Sequence, residues 1–431
     1  MRHTLGQFNI ELYNNAMTRK ILLSFLLLIL LDAQAQQVYD IHFTHDGKTV
    51  NGTFTTPNGA KRFKTIIING GSGPNDRYGT LPMAGANIMC LYPGLLGDTL
   101  RPYRGLSDAL VKAGYAVLIY DKLEYTYSSP SALGALTFHK IYLPVESAIG
   151  YVKTRNDVDT HNIILLGHSE GSSLIPYIAR SRKDIRALIS VAGPRTPFDS
   201  LLAYQVVNIT QTCGGDVSQA QSQANQILAY FNTIRTNTWN GSTPALFGLP
   251  ASAWYDYVRA TDSVADNYNR CHLPTLFLNF KKDINVPPAE LTRFKNEVTI
   301  TNDFWSIDSL VHYMCTGTSP RVSRILTDTI IYWLRGNGFP SSIHAVSNNN
   351  NAVSVWPNPA GDELHVTMPN TTGNGIITIT DPSGRVILRE ISEQNMNDPA
   401  TVLNISSLAR GLYFINAAYG DAHVAKTFYK N

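Results

Sequence analysis

Gly167-His168-Ser169-Glu170-Gly171 places a serine inside the pattern G-x-S-x-G. The pattern suits nucleophilic chemistry for a steric reason. The serine must stand on a tight strand-to-helix turn, so its neighbours must be glycine to avoid clashes. The helix that follows then aims its N-terminus at developing negative charge. Five-residue patterns of this kind also arise by chance, and the flanks give this one its weight. The apolar run Ile163-Ile164-Leu165-Leu166 leads in, and a helix-like stretch, Ser172–Arg182, leads out. Pro176 falls inside that helix and is a candidate kink. Ser169 is the candidate nucleophile.

A serine nucleophile needs a base, an acid to orient the base, and donors for the oxyanion. In a strand–turn–helix setting these follow in the chain order Ser, acid, His. Asp283 stands after the apolar run Thr275–Leu278 and just before Val286-Pro287-Pro288, where an orienting carboxylate would project. Asp303 and Asp308 are its rivals, in a segment of weaker strand character. His312 lies 29 residues beyond Asp283, past one helix and one strand-like stretch. His272 has the wrong order, His344 falls in a linker, and His365 and His423 fall in a β-rich tail. His168 neighbours the serine but is expected to point elsewhere. Of the two backbone N–H groups an oxyanion hole requires, one comes from the residue after the nucleophile, Glu170. The other comes from Asn69-Gly70-Gly71-Ser72-Gly73-Pro74, with Ser72 the first choice and Gly71 the alternative. The absence of a following G-K-[ST] argues against a phosphate cradle. The chemistry needs no metal or organic cofactor.

The elements that must position these residues form a repeating pattern. Short apolar runs, Thr65–Ile68, Ala116–Tyr120, Ile163–Leu166, Ala187–Val191 and Thr275–Leu278, suit parallel strands buried on both faces. Helix-like stretches alternate with them: Tyr103–Ala113, Leu143–Thr154, Ser172–Arg182, Ala289–Val298 and Val322–Arg335. The pattern predicts an α/β fold with a doubly wound, mostly parallel sheet. Val38–Pro57 precedes it as an antiparallel hairpin turning at Asp46-Gly47. Residues 195–271 break the rhythm and are too long for a loop, so they read as an inserted helical cap.

With 431 residues, 44% hydrophobic and 16% charged, the chain is long enough for a large domain and an accessory one. Its net charge of +3 gives no case for nucleic acid or an acidic membrane surface as a partner. Arg19-Lys20, the apolar run Ile21–Leu31 and Ala33-Gln34-Ala35 read as a secretory signal peptide over residues 1–35, with Met17 a rival to Met1 as the true start. The apolar run is too short to cross a bilayer, so no stable membrane span is expected in the mature chain. The catalytic domain is expected over residues 36–340, a linker with the run Asn348–Asn351 over 341–352, and a C-terminal β-sandwich over 353–431. Seven short strand-like segments separated by turn signals support the sandwich. Cys90, Cys213, Cys271 and Cys315 can oxidise in an exported chain, and three pairings are possible. Cys213 and Cys271 bracket one segment and are the favoured pair, with free buried thiols the alternative.

Residues 60–338 resemble the α/β-hydrolases of the serine aminopeptidase-like and dienelactone hydrolase-like esterase group. The resemblance rests on Gly71-Ser72-Gly73-Pro74-Asn75-Asp76-Arg77, Tyr120-Asp121-Lys122, Gly167–Gly171, Asp283 with Val286-Pro287, His312, and Ala203-Tyr204-Gln205 in the cap. Two features depart from the group. Leu123–Ser128 replaces its usual glycine-rich turn, and Thr80–Arg101 looks like an insertion beside the active site. A dienelactone hydrolase proper would also carry cysteine where this chain has Ser169. Residues 353–431 resemble a type IX secretion C-terminal sorting domain. The marks are Trp356-Pro357-Asn358-Pro359, Asp381 with Gly384-Arg385, Ile405-Ser406-Ser407-Leu408 leading to Gly411-Leu412-Tyr413-Phe414, and the terminal Lys426–Lys430. That resemblance implies the type IX machinery as a partner. It also implies export through the periplasm to the surface or medium of a Gram-negative, Bacteroidetes-type bacterium.

The function expected is hydrolysis of a small-molecule carboxylic ester through an acyl-enzyme. Two alternatives stand beside it. A peptidase removing N-terminal residues would need cap carboxylates, for which Asp256, Asp262 and Asp266 are available. A catalytically inactive binding protein would keep the fold alone.

Overall fold

The computed structural model describes residues 36–59, 62–340, 354–367, 373–382, 385–394, 400–419 and 422–431. The signal segment with Met17, the linker 341–352, His344 and Gly384 lie outside these residues. Strands β1 (Gln37–His45) and β2 (Lys48–Thr56) form the expected hairpin. Its turn residues Asp46 and Gly47 both have positive φ, 45° and 72°, which matches the right-handed twist of the strands they join. Then come β3 (Phe63–Asn69), the short pair β4 (Leu81–Pro82) and β5 (Thr99–Leu100), β6 (Ala116–Tyr120), β7 (Val158–His168), β8 (Ile185–Val191), β9 (Thr275–Phe280) and β10 (Asn302–Ile307). Apart from β4 and β5, these make one eight-stranded sheet in the order β1-β2-β6-β3-β7-β8-β9-β10. It is parallel from β6 to β10 and antiparallel through the hairpin. This is the α/β-hydrolase architecture the apolar runs predict.

Both faces of the sheet are covered. Ile66, Ile68, Ile164 and Leu166 point into one core with helices α2 (Pro102–Lys112) and α10 (Arg324–Gly336). Their neighbours Ile67, Ile163 and Leu165 point into the other. That second core holds α3 (Phe138–Tyr142), α4 (Pro144–Lys153) and α5 (Glu170–Ala179). Alternation within continuous apolar runs is what a strand buried on both sides requires.

Residues 198–271 supply four cap helices: α6 (Phe198–Thr212), α7 (Val217–Arg235), α8 (Ala251–Thr261) and α9 (Val264–Cys271). Phe198, Phe231, Trp254 and Tyr257 stack into one aromatic cluster that also meets Phe138 and Tyr142 of α3, so the cap and the sheet share a core. Arg235 at the end of α7 locks the cap from within, reaching Asp199 of α6 at 2.5 Å and Asp262 after α8 at 2.6 Å. Pro176 sits inside α5 without ending it. A proline there leaves the carbonyl four residues back without its helical donor. That carbonyl, of Ser172, instead accepts from Tyr268 Oη of α9 at 2.8 Å.

The cysteine pairing corrects the expectation. Cys213 is bridged to Cys90, and Cys271 and Cys315 are free. Cys271 lies against α5, with its thiol 3.2 Å from the Pro176 carbonyl. Cys213 caps the far end of α6 and meets helix α1 (Ala86–Leu91) of the insertion. The segment that looked bracketed is not closed on itself. It is tied across to residues 80–101.

The C-terminal region contains all seven expected strands: β11 (Ser354–Trp356), β12 (Glu363–Thr367), β13 (Gly373–Thr380), β14 (Val386–Gln394), β15 (Ala400–Asn404), β16 (Gly411–Tyr419) and β17 (Ala422–Lys430). They form a three-stranded sheet, β11-β12-β15, and a four-stranded sheet, β14-β13-β16-β17. Leu364, Val366, Leu403 and Ile405 pack with Ile377, Ile379, Ile415 and Phe428 in one core, as a β-sandwich does. Among the described residues no helix is long and apolar enough to cross a membrane.

Candidate active site

Ser169 stands between β7 and α5 with φ 54° and ψ −124°, a conformation a side-chain-bearing residue adopts only when its surroundings enforce it. Two close approaches provide that constraint. A Cβ on Gly167 would lie 2.5 Å from the Gly171 carbonyl oxygen, and one on Gly171 would lie 2.2 Å from that of Asn69. Glycine at both flanks is therefore a packing requirement of the turn. The Ser169 N–H is anchored on the Val191 carbonyl at 3.0 Å.

Asp283 follows β9 and is buried. Its Oδ1 accepts the N–H groups of Asn285 and Val286, both at 2.8 Å, which pins the carboxylate. Its Oδ2 lies 2.7 Å from His312 Nδ1, and His312 Nε2 lies 3.1 Å from Ser169 Oγ. A carboxylate accepts hydrogen bonds only, so Nδ1 carries the imidazole hydrogen and Nε2 presents its lone pair to the serine hydroxyl. The rival acids are engaged elsewhere: Asp303 accepts from Trp333 Nε1 at 2.7 Å, and Asp308 pairs with Lys281 at 2.6 Å.

The loop after β3 runs against the serine; a Cβ on Gly71 would be 3.2 Å from Ser169 Cβ. The Gly71 N–H is committed to Tyr103 Oη at 2.8 Å, so Gly71 drops out as an oxyanion donor. Asn75 Nδ2 binds the carbonyls of Gly71 and Ser72 at 3.2 and 2.8 Å. In a trans peptide the Ser72 N–H points opposite the Gly71 carbonyl, hence away from Asn75. The Glu170 N–H opens α5 and has no intrahelical acceptor. The loop is fastened at its far end by Arg77, whose guanidinium clamps Asp121 at the end of β6, Nη2 to Oδ2 at 2.9 Å.

The residues that sequence reasoning missed form a buried chain beside the triad. Tyr103 Oη accepts from Gly71 and so donates to His168 Nδ1 at 3.0 Å; His168 Nε2 then donates to the His312 carbonyl at 3.0 Å. Two side chains, Tyr103 and His168, thus join the glycine loop to the histidine loop. Burial pulls the His168 pKa down to about 3; the nearby His312 adds to the drop and the bond to its carbonyl offsets only part. His168 is neutral at every ordinary pH. Its position beside Ser169 was the only signal in the sequence, and nothing local reveals its partners 65 and 144 residues away. The Glu170 side chain turns to the cap side, taking Lys122 Nζ at 3.3 Å and Tyr257 Oη of α8 at 3.2 Å.

Residues 86–316 match the family described as Serine aminopeptidase, S33, which is more than half of the chain. The chain belongs to that S33 family. In this S33 hydrolase the matched span includes Ser169, Asp283 and His312, while the glycine loop precedes it. Residues 354–431 match the Secretion system C-terminal sorting domain, so the chain is marked for type IX secretion, ending released or attached at the cell surface. The chain is also similar to Esterase EstD of Thermotoga maritima, 25% identical over 279 residues; the match covers 62% of this chain and spans 60% of the length of that relative. Among solved structures it resembles the esterase domain of a Rhodothermus marinus protein, with 14% identity, a TM-score of 0.43, and coverage of 70% of this chain and 98% of that one. It also resembles the acylaminoacyl peptidase of Pyrococcus horikoshii, with 14% identity, a TM-score of 0.47, and coverage of 72% and 42%.

Proposed function

We propose that this S33 hydrolase is a secreted serine esterase that cleaves small carboxylic esters through an acyl-enzyme. The observation that carries the reading is the unbroken relay Ser169 Oγ, His312 Nε2, His312 Nδ1, Asp283 Oδ2, with gaps of 3.1 and 2.7 Å. As Ser169 Oγ attacks the ester carbonyl, His312 Nε2 takes its proton and becomes an imidazolium that Asp283 orients and stabilises. The Ser72 and Glu170 N–H groups receive the oxyanion. His312 then protonates the departing alcohol oxygen. Water attacks the acyl-serine, giving its proton to His312, and the serine leaves with that proton restored.

The similarity to a protein named an esterase supports the substrate class. The family's name supports a peptidase instead. A peptidase that holds a free substrate amine would use paired carboxylates from the cap, and the three available do not converge. Asp262 is spent on Arg235, Asp266 pairs with Arg270 on the same helix, and Asp256 is exposed on α8. The domain division that accompanies this reading has residues 36–340 as the catalytic unit with its cap at about 195–271, a linker at 341–352, and an export unit at 353–431 reached through the periplasm.

Labelling by a fluorophosphonate probe, lost in Ser169→Ala, tests the nucleophile, and an unlabelled but folded wild type returns the chain to the binding-protein reading. Hydrolysis of p-nitrophenyl acyl esters against aminoacyl p-nitroanilides tests the substrate class. Faster cleavage of the anilides would overturn the esterase reading.

A further inference from the structure

A second constellation lies at the tip of the β1–β2 hairpin and shares no residue with the proposed catalytic site. His45 ends β1 and is buried, Asp46 opens the turn, His139 sits on α3, and Glu146 and Ser147 lie in the first turn of α4. One donor atom from each of His45, Asp46 and His139 lies within 4.8 Å of the other two. His139 Nδ1 is 2.9 Å from Asp46 Oδ2, and the two imidazoles stack with centroids 4.8 Å apart.

The far sides of both rings are already held. His45 Nε2 lies 2.9 Å from the main-chain carbonyl of His139, and His139 Nε2 lies 3.3 Å from Glu146 Oε2. Metal-ligating histidines almost always give their second N–H to a carbonyl or carboxylate, which fixes the ring and raises its basicity. Here one ring has each kind of partner. What remains is the Nδ1 of each ring and the Asp46 carboxylate. The present neighbour of His45 Nδ1 is only the Ser147 hydroxyl, at 2.9 Å, which can rotate away. Two imidazole nitrogens and one carboxylate oxygen suit zinc, with water as a fourth ligand; calcium and magnesium favour all-oxygen shells. Tetrahedral ligand atoms about 2.0–2.2 Å from a zinc ion lie roughly 3.3–3.6 Å apart, so the 4.8 Å spread must contract while the His139–Asp46 pair, now at 2.9 Å, opens slightly. Asp46 and His139 are on the exposed side of the cluster and supply that movement, while His45 is fixed.

We propose that His45 Nδ1, His139 Nδ1 and the Asp46 carboxylate form a zinc-type cation site that clamps the hairpin tip to the junction of α3 and α4. The hairpin is the edge of the large sheet, so the ion would fasten its outermost strand to the helical layer.

The test uses the mature full chain, stripped with chelator and titrated with zinc by calorimetry. Cobalt(II) absorption serves as a second readout of nitrogen–oxygen coordination. One equivalent of zinc should bind and raise the melting temperature, and cobalt should give intense visible bands. Glu146→Gln should weaken binding by about 10–100-fold, the usual effect of removing a group that holds a ligand, and His139→Asn and Asp46→Asn by at least that much. Both of those positions are partly exposed, so the variants should match the metal-free wild type in circular dichroism and melting temperature. Absence of zinc uptake at millimolar concentration, or equal uptake by wild type and His139→Asn, would overturn the site. In that case a proton shared between His139 and its two carboxylates would be the cluster's whole role.

Discussion

His168 offers a quantitative check on the buried chain that joins the two active-site loops. In the fold its pKa is held near 3, chiefly because burial denies the imidazolium its water. In the unfolded chain it should titrate near the reference value of about 6.5. Between these values the unfolded state binds the proton and the folded state does not. Stability is therefore complete above about 6.5 and falls as pH drops, levelling off only below the folded value. Integrating from pH 7 to pH 5 gives a loss of about 2 kcal/mol from this one residue. His168→Gln should remove that slope. At pH 7 the variant should also be less stable by on the order of 2–4 kcal/mol, since Tyr103 Oη and the His312 carbonyl lose a buried partner. Urea unfolding of both proteins at pH 7, 6 and 5 measures the difference. His45, lowered mainly by burial, adds to the slope. His139 opposes it: burial acts to lower its pKa, but Asp46 and Glu146 outweigh that and raise it. Both are present in each protein and cancel in the comparison. Parallel stability curves would refute the reasoning, because they would mean that His168 is solvated or already charged in the native state.

Three further outcomes follow from other contacts. Removing the Cys90–Cys213 bridge with a Cys90→Ser/Cys213→Ser pair should destabilise by roughly 2–5 kcal/mol, given the 123-residue separation; an unchanged melting temperature would deny the bridge that role. Tyr268→Phe should cost about 1–3 kcal/mol in chemical denaturation, because the Ser172 carbonyl loses the donor that compensates for Pro176. Deleting residues 346–431 should leave soluble, active enzyme that stays in the periplasm of a type IX-exporting host; loss of activity without unfolding would place the β-domain beside the substrate site.

The parts of this fold that were legible in the sequence are those set by local pattern. Ile163–Leu166 followed by G-x-S-x-G describes β7, its turn and α5 because each demand is met within about a dozen residues. Asp283 was legible for the same reason, lying just past the apolar run Thr275–Leu278, and His312 was legible from chain order, standing past the helix and strand-like stretch that follow Asp283. Contacts without local consequences were not legible. Gly71 stood as the alternative donor to Ser72, since both sit in one glycine-rich loop; what separates them in the fold is a tyrosine hydroxyl 32 residues away. His168 looked inert because its neighbour held all the chemical interest. Its two nitrogens serve Tyr103 and the His312 carbonyl, and no periodicity encodes that.

The misassigned disulfide shows the same limit and adds a consequence for specificity. Residues 80–101 interrupt the pattern and could be read only as an insertion. In the fold their apolar residues Met83, Tyr92, Leu95 and Leu100 pack on Val311 and Cys315, with Ile284 and Tyr313 at the edge. They thus brace the loops that carry His312 and Asp283. From the cap, Gln205 Nε2 of α6 reaches the acid loop at the Asn285 carbonyl, 2.8 Å away. The insertion therefore braces both loops and the cap holds the acid loop, and Cys90–Cys213 joins the one segment to the other. A substitution in either segment acts on the triad through that shared frame. Changes in substrate preference that originate there should appear in kcat as well as KM, because the frame positions the relay as well as the walls around it.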